Sequence, residues 1–250
     1  VFLGQTVNAW RDGALDFADL LRAAARIGGV KRIRFTSPHP ADLTERLVEV
    51  MASEPAICPQ LHLPLQSASN PILARMERGY TIEEYDALVM RLRRAIPGIE
   101  LSTDVIVGFP DESEEDFRAT CDYMRRVGYD HAFLFAYSPR EGTRAARWAD
   151  SVPESEKQRR LREVIDLQER ISAERARRWH GRVVEVLVEG PARRQQGWLA
   201  GKSAEFRTAV FPAGGRRVGD LVPVLVHDST AHTLIGEAVE APPAEAVNVG

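Results

Sequence analysis

Residues 101–117, LSTDVIVGFPDESEEDF, read as a strand, a tight turn and the start of a helix. The β-branched run at residues 105–107 is typical of a strand that is buried on both faces, and the Gly-Phe-Pro sequence at 108–110 ends it. Ser113, with Asp116 three residues later, predicts a capped helix start. Such a turn either leaves backbone N–H groups facing a crevice, where they bind a polar ligand, or is an ordinary strand–helix connection.

The same alternation of strand and helix recurs over residues 1–137. Strands are predicted at 1–3, 32–35, 61–65, 101–107 and 132–137, and helices at 15–27, 43–51 (with Asp42 and Glu45 as caps), 71–78, 82–95 (with Thr81 and Glu84 as caps) and from 114. Repeated βα units predict a parallel sheet, either doubly wound or part of a barrel, whose ligand lies at the carboxyl ends of the strands. Polar residues are concentrated at those ends: Gln5, Asn8, Ser37, His39, Gln66, Ser67, Asp104 and Tyr137.

Beyond residue 153 the pattern changes. A long charged amphipathic helix is predicted at 153–180, followed by short alternating strands at 184–188, 197–199, 208–211, 222–226 and 233–236. Short strands separated by Gly and Pro turns predict a small closed β-barrel. Residues 242–250 are predicted to be a disordered tail.

Basic residues lie largely in the turns of this predicted barrel, with aromatic residues among them. They are Arg193, Arg194, Lys202, Arg207, Arg216 and Arg217, with Trp198, Phe206 and Phe211. This composition fits either an RNA-binding surface or solvated turn charges around core aromatics.

Composition narrows the class of protein. The 250 residues carry a net charge of −3, so a nucleic-acid contact must be local. The two cysteines, Cys58 and Cys121, are far apart, which argues against structural zinc and for a reducing compartment. We find no apolar run long enough for a membrane span and no signal peptide, and we expect a cytoplasmic protein.

Motifs for hydrolysis and for phosphoryl transfer are missing from the sequence. His39 and His62 are candidates for an acid–base pair, although each is also explained by ordinary hydrogen bonding. Asp104 is either a buried carboxylate that holds backbone donors or a ligand contact. Amides and hydroxyls without titrating pairs indicate a site whose reactivity comes from a cofactor.

Six ordered blocks closely resemble the radical-SAM methylthiotransferases, and most of all their MiaB-type tRNA-modifying members. The blocks are GQTVNAW (4–10), RIRFTSPHP (32–40), HLPLQSAS (62–69), ERGYTIEEY (77–85), DVIVGFPDESEEDF (104–117) and FAYSPREGTRAA (135–146). VLVEG at 186–190 and LAGKSAEF at 199–206 resemble the TRAM domain that follows the catalytic core in that family.

The resemblance implies an α/β fold: a partial (β/α) barrel of the radical-SAM type over residues 1–178, including the linker helix, and an all-β TRAM barrel over 179–241. It implies S-adenosylmethionine and iron–sulfur clusters as cofactors, and methylthiolation of an isopentenyl-type adenosine next to the tRNA anticodon. We expect a monomer that binds tRNA through the basic residues of the TRAM barrel. The cofactor-binding residues implied are Gly4, Gln5, Asn8, Gln66, Ser67, Val107, Gly108, Phe109, Phe135 and Tyr137.

Departures from the family pattern limit these expectations. The C-x-x-x-C-x-x-C motif that holds the radical-SAM cluster and the domain for a second cluster are not in this sequence, and Cys58 and Cys121 cannot replace them, since a cluster needs several converging thiolates. We therefore assign no metal ligand or catalytic residue, and expect these residues alone to be an inactive portion of the enzyme. Residues 1–3 read as a strand that starts without its neighbour, which predicts an exposed, aggregation-prone edge. At four single positions the residue also differs from the one usual in the family: Thr6, Ala68, Asp111 and Lys202.

Other functions remain open. The closest alternatives are the methylthiotransferases that act on a ribosomal protein or on threonylcarbamoyl-adenosine. A second alternative is a truncated, non-catalytic RNA-binding protein that uses only the barrel and the long helix. A third is a generic α/β cofactor-binding enzyme of another chemistry.

Overall fold

The computed structural model describes residues 1–240, which form two compact units, Val1–Ser172 and a second that begins at Ala173. The division falls inside the long helix, and the boundary predicted after residue 178 stays a prediction. The predicted tail lies outside the described residues. None of the described helices combines the length and the apolar character that crossing a membrane requires.

The first unit alternates strands and helices as predicted. Its strands are β1 (Arg11–Asp12), β2 (Leu15–Asp16), β3 (Gln60–His62), β4 (Glu100–Val107) and β5 (His131–Ala136). Its helices are α1 (Phe17–Ala25), α2 (Glu45–Ser53), α3 (Asn70–Arg75), α4 (Ile82–Ala95), α5 (Glu114–Val127) and the start of α6 (Glu154–Arg177). The short antiparallel pair β1–β2 was not predicted.

The extended segments pair in sequence order, which identifies the type of sheet. Strands β3, β4 and β5 are parallel neighbours. Single parallel bridges join Phe2 to Phe35 and Ile33 to Ile57. A doubly wound sheet reverses its strand order, whereas a barrel keeps it sequential. The predicted partial barrel is therefore confirmed.

The first two predicted strands are shorter than expected. Phe2 is held by two backbone hydrogen bonds, from its N–H to Arg34 O at 2.8 Å and from Thr36 N–H to its own carbonyl at 3.2 Å. Beyond these short pairings, the backbone is left-handed at Thr6 (φ 50°) and at Ser37 (φ 54°). The side chains of Val1 and Leu3 are exposed.

Strand β4 also differs from its prediction. Val105 and Val107 are completely buried, whereas Ile106 is only half-buried. The run is thus not buried on both faces, because the inner face of this open sheet lines a cavity.

Helix caps were predicted well where the spacing was regular. Thr81 with Glu84 and Ser113 with Asp116 form capping boxes for α4 and α5. The cap predicted at Asp42 is wrong: Thr44 Oγ1 accepts the N–H of Leu47 at 3.2 Å. Asp42 instead belongs to a short 3₁₀ turn before α2.

The second unit contains the predicted closed barrel. Its strands are β6 (Val183–Pro191), β7 (Trp198–Lys202), β8 (Thr208–Pro212), β9 (Leu221–Ser229) and β10 (Thr233–Ala238), in the closed order β10-β8-β7-β6-β9. Phe211 is completely buried in its core and is therefore not available for stacking. A Cβ at Gly201 would lie 2.0 Å from Leu187 O, so glycine is needed where these strands meet.

Candidate functional site

Two adjoining cavities open at the carboxyl ends of β4 and β5. The larger cavity, about 510 Å³, has the size of a site for a nucleoside-like cofactor. The smaller cavity, about 260 Å³, is lined by Arg75, Arg78, Arg144 and Trp148 among others. The two share a wall made by Gln66, Ile106, Phe109, Thr143 and Ala145.

An aromatic row forms part of the wall of the larger cavity and reaches into the smaller one. The Phe109 ring lies edge-to-face with Tyr137, at 5.0 Å between centroids, and with Trp148, at 6.0 Å. Phe135 presents an exposed ring to the larger cavity. Such rings offer an apolar surface to a planar base.

Tyr137 adds a polar group to this wall. Its hydroxyl is buried and has no hydrogen-bond partner among the described residues. The pKa of Tyr137 is raised, first by burial and then by the nearby Asp150 carboxylate, so the phenol stays protonated at neutral pH. A buried hydroxyl without a partner is costly, and a ligand in the cavity would satisfy it.

Asp104 lies on the other side of the larger cavity and is oriented by its neighbours. His62, on the neighbouring strand β3, contacts two side chains of β4: its Nε2 lies 3.2 Å from Asp104 Oδ2 and its Nδ1 lies 3.0 Å from Ser102 Oγ. His39 has different partners, since its Nδ1 accepts the N–H of Ala41 at 3.3 Å and burial lowers its pKa. The predicted pairing of His39 with His62 is therefore not formed.

The turn after β4 is held by the chain itself. Gly108 donates its N–H to Glu112 Oε2 at 2.6 Å, and the same oxygen lies 2.7 Å from Arg160 Nη1. Asp111 donates its N–H to Ser151 Oγ at 2.7 Å. Of the two interpretations left open for this turn, the ordinary strand–helix connection fits better, because Glu112 and Ser151 accept the N–H groups of Gly108 and Asp111.

Lys157 completes this turn. Only 2% of its surface is exposed, its ammonium pairs with Asp150 at 2.5 Å, and its stem lies against Gly108. Sequence reasoning missed Glu112, Arg160 and Lys157. Only Glu112 had a signal in the sequence, as an acidic residue within a turn that follows a buried strand.

The predicted cofactor-binding residues separate into two groups. Gln66, Phe109, Phe135 and Tyr137 line the larger cavity together. The others do not line either cavity: Gly4, Gln5, Asn8, Ser67, Val107 and Gly108.

Two residues of this second group, Asn8 and Ser67, form hydrogen bonds with other residues of the chain. The Asn8 amide is buried and donates to His39 O at 2.9 Å while it accepts His39 N–H at 2.8 Å. Ser67 is buried, with its hydroxyl 3.3 Å from Thr120 Oγ1. Gly4 and Gln5 are exposed. Arg75, Arg78, Arg140, Thr143 and Trp148 are cavity residues that the sequence-based set omitted, although the SPREGT stretch carried two of them.

The predicted RNA-binding residues of the barrel differ in accessibility. Arg193, Arg194 and Arg217 are exposed, and Arg216 is half-buried. The Lys202 ammonium lies 4.5 Å from the centre of the Phe206 ring, which is 48% exposed. Arg207 is only 7% exposed, which leaves little of its side chain for a phosphate.

The described residues fit one of the two implied cofactors and not the other. The orphan Tyr137 hydroxyl, the Gln66 amide, the Asp104 carboxylate and the aromatic wall fit a polar nucleoside such as S-adenosylmethionine. An iron–sulfur cluster does not fit: within residues 1–240 no group of three or more His, Cys, Asp or Glu side chains could hold a metal. Cys58 and Cys121 are both buried, and burial raises the pKa of Cys121 to about 11.

Comparison with known proteins agrees with the fold and with the resemblance. Residues 1–124 match the radical SAM superfamily and residues 177–239 match the TRAM domain. The tRNA-2-methylthio-N(6)-dimethylallyladenosine synthase of Chlorobium limicola is 51% identical over 95% of this chain and 54% of that protein. Proteins of the same name from Carboxydothermus hydrogenoformans and Methylacidiphilum infernorum are 46% and 41% identical, over 95% and 94% of this chain and 54% and 52% of their own lengths.

A solved structure of the radical SAM enzyme coproporphyrinogen III oxidase (HemN) from Escherichia coli is also similar. Its TM-score is 0.47 at 15% identity, over 75% of this chain and 50% of that one, which is too distant for a comparison of sites. The chain spans about half the length of the curated relatives that it matches. Both domain matches and the high identity of these relatives confirm the resemblance, and the chain belongs to the radical SAM methylthiotransferase family.

Proposed function

We propose that the chain supplies the S-adenosylmethionine cavity and an RNA-binding barrel of a tRNA methylthiotransferase. The substrate is an isopentenyl-type adenosine next to the anticodon, and the protein acts as a cytoplasmic monomer. The larger cavity carries the proposal, because four residues predicted from three separate sequence blocks meet there around an unpartnered hydroxyl.

Each wall of the larger cavity has a role toward the cofactor. Phe109 and Phe135 offer apolar surface to the adenine, and the Tyr137 hydroxyl and Gln66 amide offer hydrogen bonds. Asp104, positioned by His62, offers a carboxylate to the cationic methionine portion or to a ribose hydroxyl. Six further residues line neither cavity, and this proposal keeps them as residues that support the cofactor site without lining it: Gly4, Gln5, Asn8, Ser67, Val107 and Gly108.

Bound S-adenosylmethionine supplies the radical chemistry that gives the family its name. The chain's own residues bind the cofactor, orient it and exclude water from its adenine. Because the described residues contain no ligand set for a cluster, none of them is assigned to cluster chemistry.

The barrel offers the RNA contact. Exposed arginines flank the β6–β7 and β8–β9 turns, and Phe206 presents its ring beside Lys202. Positive charge next to an exposed ring allows phosphate contact and base stacking.

Calorimetry of the full chain with S-adenosylmethionine tests the cofactor site. We expect saturable binding that Gln66→Ala weakens by about tenfold, since the lost amide bonds a polar ligand. Gln60→Ala is the matched control, because Gln60 lies on the same segment at its amino end and lines neither cavity. Equal loss in both variants, or no binding by the unmodified chain, would contradict the proposal.

A second function is an RNA-binding protein that uses only the barrel and the long helix, and the Lys202 ammonium beside the exposed Phe206 ring favours it. The same calorimetry separates the two. RNA binding without any S-adenosylmethionine binding would support this second function and not the first.

A further inference from the structure

The smaller cavity is rich in arginine. Arg75, Arg78 and Arg144 all line it, and two of the three have carboxylate partners. Arg75 pairs with Asp111 at 2.7 Å, and its guanidinium lies 4.5 Å from the centre of the Trp148 ring. Arg144 pairs with Glu77 at 2.6 Å and is largely exposed.

Arg78 is different. Within residues 1–240 it has no carboxylate within ion-pair distance, and its guanidinium lies 5.9 Å from the centre of the Tyr80 ring. Its Nε is buried and has no hydrogen-bond partner, and the same is true of Arg75 Nε. Two residues of one cavity therefore each leave a guanidinium N–H unsatisfied.

Such donors need an acceptor from outside the chain. Burying a guanidinium N–H without one is unfavourable, and the fork of N–H groups on arginine matches the oxygens of a phosphate or a carboxylate. An oxyanion is therefore the kind of ligand that these two donors fit.

Two sources of oxyanion are available: a phosphate of the RNA strand and the carboxylate of the cofactor. The smaller cavity has solvent-exposed residues at its margin, since the Arg144 side chain is 74% exposed. Trp148 and Phe109 supply rings beside the arginines, and the larger cavity lies across the shared wall. Arginine beside aromatic rings is a common composition of single-strand RNA contacts.

We propose that the smaller cavity binds a phosphate of the RNA strand, with Arg78 as its principal contact and Arg75 beside it. The inference rests on the proposed function, which supplies the RNA. It adds that the first unit, and not only the barrel, contacts the RNA. In this arrangement an RNA phosphate lies next to the cofactor cavity.

Fluorescence anisotropy with a labelled anticodon stem–loop RNA and the full chain tests the proposal. We expect Arg78→Gln to weaken binding by about tenfold, and to reduce the slope of log affinity against log salt by roughly 0.7 to 0.9, the value for one phosphate contact. Arg94→Gln is the matched control, since it makes the same change of charge on an exposed residue that lines neither cavity. We expect its affinity and slope to match the unmodified chain.

The controls separate the possible outcomes. Arg78→Lys keeps the charge and the packing of the stem, so a loss of about threefold is expected even if Arg78→Gln fails to fold. RNA affinity unchanged in Arg78→Gln or in Arg78→Lys would overturn the inference and leave the proposed function standing. Loss of S-adenosylmethionine affinity with unchanged RNA affinity would also overturn it, and would assign the cavity to the cofactor's carboxylate. An unmodified chain that binds no RNA would overturn both proposals.

Discussion

Gly108 shows how a single residue controls the turn between β4 and the cavities. Its φ of 71° lies in the left-handed region, and a Cβ there would lie 2.4 Å from Lys157 Cγ. Lys157 cannot move aside freely, because it is buried and its ammonium is paired with Asp150. A glycine is thus required for both backbone conformation and space.

Gly108→Ala should therefore destabilise the first unit by about 3 kcal/mol, from left-handed strain and overpacking together. Urea unfolding followed by circular dichroism measures this. Gly79→Ala is the matched control: Gly79 also has a left-handed φ, of 72°, but no atom within 4 Å of an added Cβ. We expect it to cost only about 1 kcal/mol, and equal losses would show that Lys157 does not restrict the site.

Tyr137→Phe separates ligand binding from stability. The hydroxyl has no partner in the chain, so its removal should leave the free energy of unfolding unchanged or slightly increased. Affinity for S-adenosylmethionine should fall by about fivefold, the effect of one lost hydrogen bond.

Tyr123→Phe is the opposite control, since that hydroxyl lies 3.1 Å from Asp86 Oδ1 and outside both cavities. It should lower stability and leave cofactor affinity unchanged. A Tyr137→Phe variant with normal affinity would show that the hydroxyl does not contact the cofactor.

Sequence could identify cavity residues only where they follow strands. Gln66, Asp104 and Tyr137 were found because carboxyl ends of parallel strands converge, whereas Phe109 and Phe135 were implied only by the family resemblance. Glu112, Lys157 and Arg78 were missed because their partners depend on contacts that no local pattern contains.

At the scale of elements, helix α6 is stabilised by ion pairs along its first turns. Glu156 accepts hydrogen bonds from Arg159 and from Arg160, and Arg159 also bonds Glu163. The hydrogen bond from Arg159 is the main reason that the pKa of Glu156 is lowered to about 2. The pairs are partly solvated, so each contributes modestly.

The lowered pKa of Glu156 makes the stability of the fold depend on pH. A carboxyl with a folded pKa of about 2 and an ordinary value of 4.5 stabilises the fold above about pH 4.5, and this contribution is lost as the pH falls toward 2. We expect thermal melts of Glu156→Gln to show a smaller decrease of the melting temperature over that range than the unmodified chain. Glu154→Gln, whose carboxylate accepts from the neutral Gln158 amide, is the control and should keep the full decrease. Identical curves for Glu156→Gln and the unmodified chain would contradict the assignment.

Regular patterns predicted the elements better than their ends. Capping boxes at Thr81 and Ser113 were correct because both halves of the motif are local. The strands at residues 1–3 and 32–35 were overestimated, since these segments form only single parallel bridges, from Phe2 to Phe35 and from Ile33 to Ile57. Alternation in residues 184–236 was sufficient to predict the closed barrel.

At the scale of the whole molecule, two units carry two different parts of the proposed task. The first presents the larger and smaller cavities at the ends of β4 and β5, and the second presents basic and aromatic groups on a closed barrel. The family match covers both units, over about half the length of the curated relatives. The alternation of strands and helices could be derived from the sequence, and the family resemblance implied the barrel. The division of the site into two cavities could not be derived, because it depends on how side chains such as Phe109 and Trp148 pack.

Hydrogen exchange of the full chain with and without S-adenosylmethionine tests the central claim, that the larger cavity is the cofactor site. Backbone amides slow their exchange where a ligand suppresses local opening. Bound cofactor should protect peptides that cover residues 104–109 and 135–145, and leave those of the barrel, residues 183–238, unchanged. Protection confined to the barrel, or to elements away from β4 and β5, would contradict the claim.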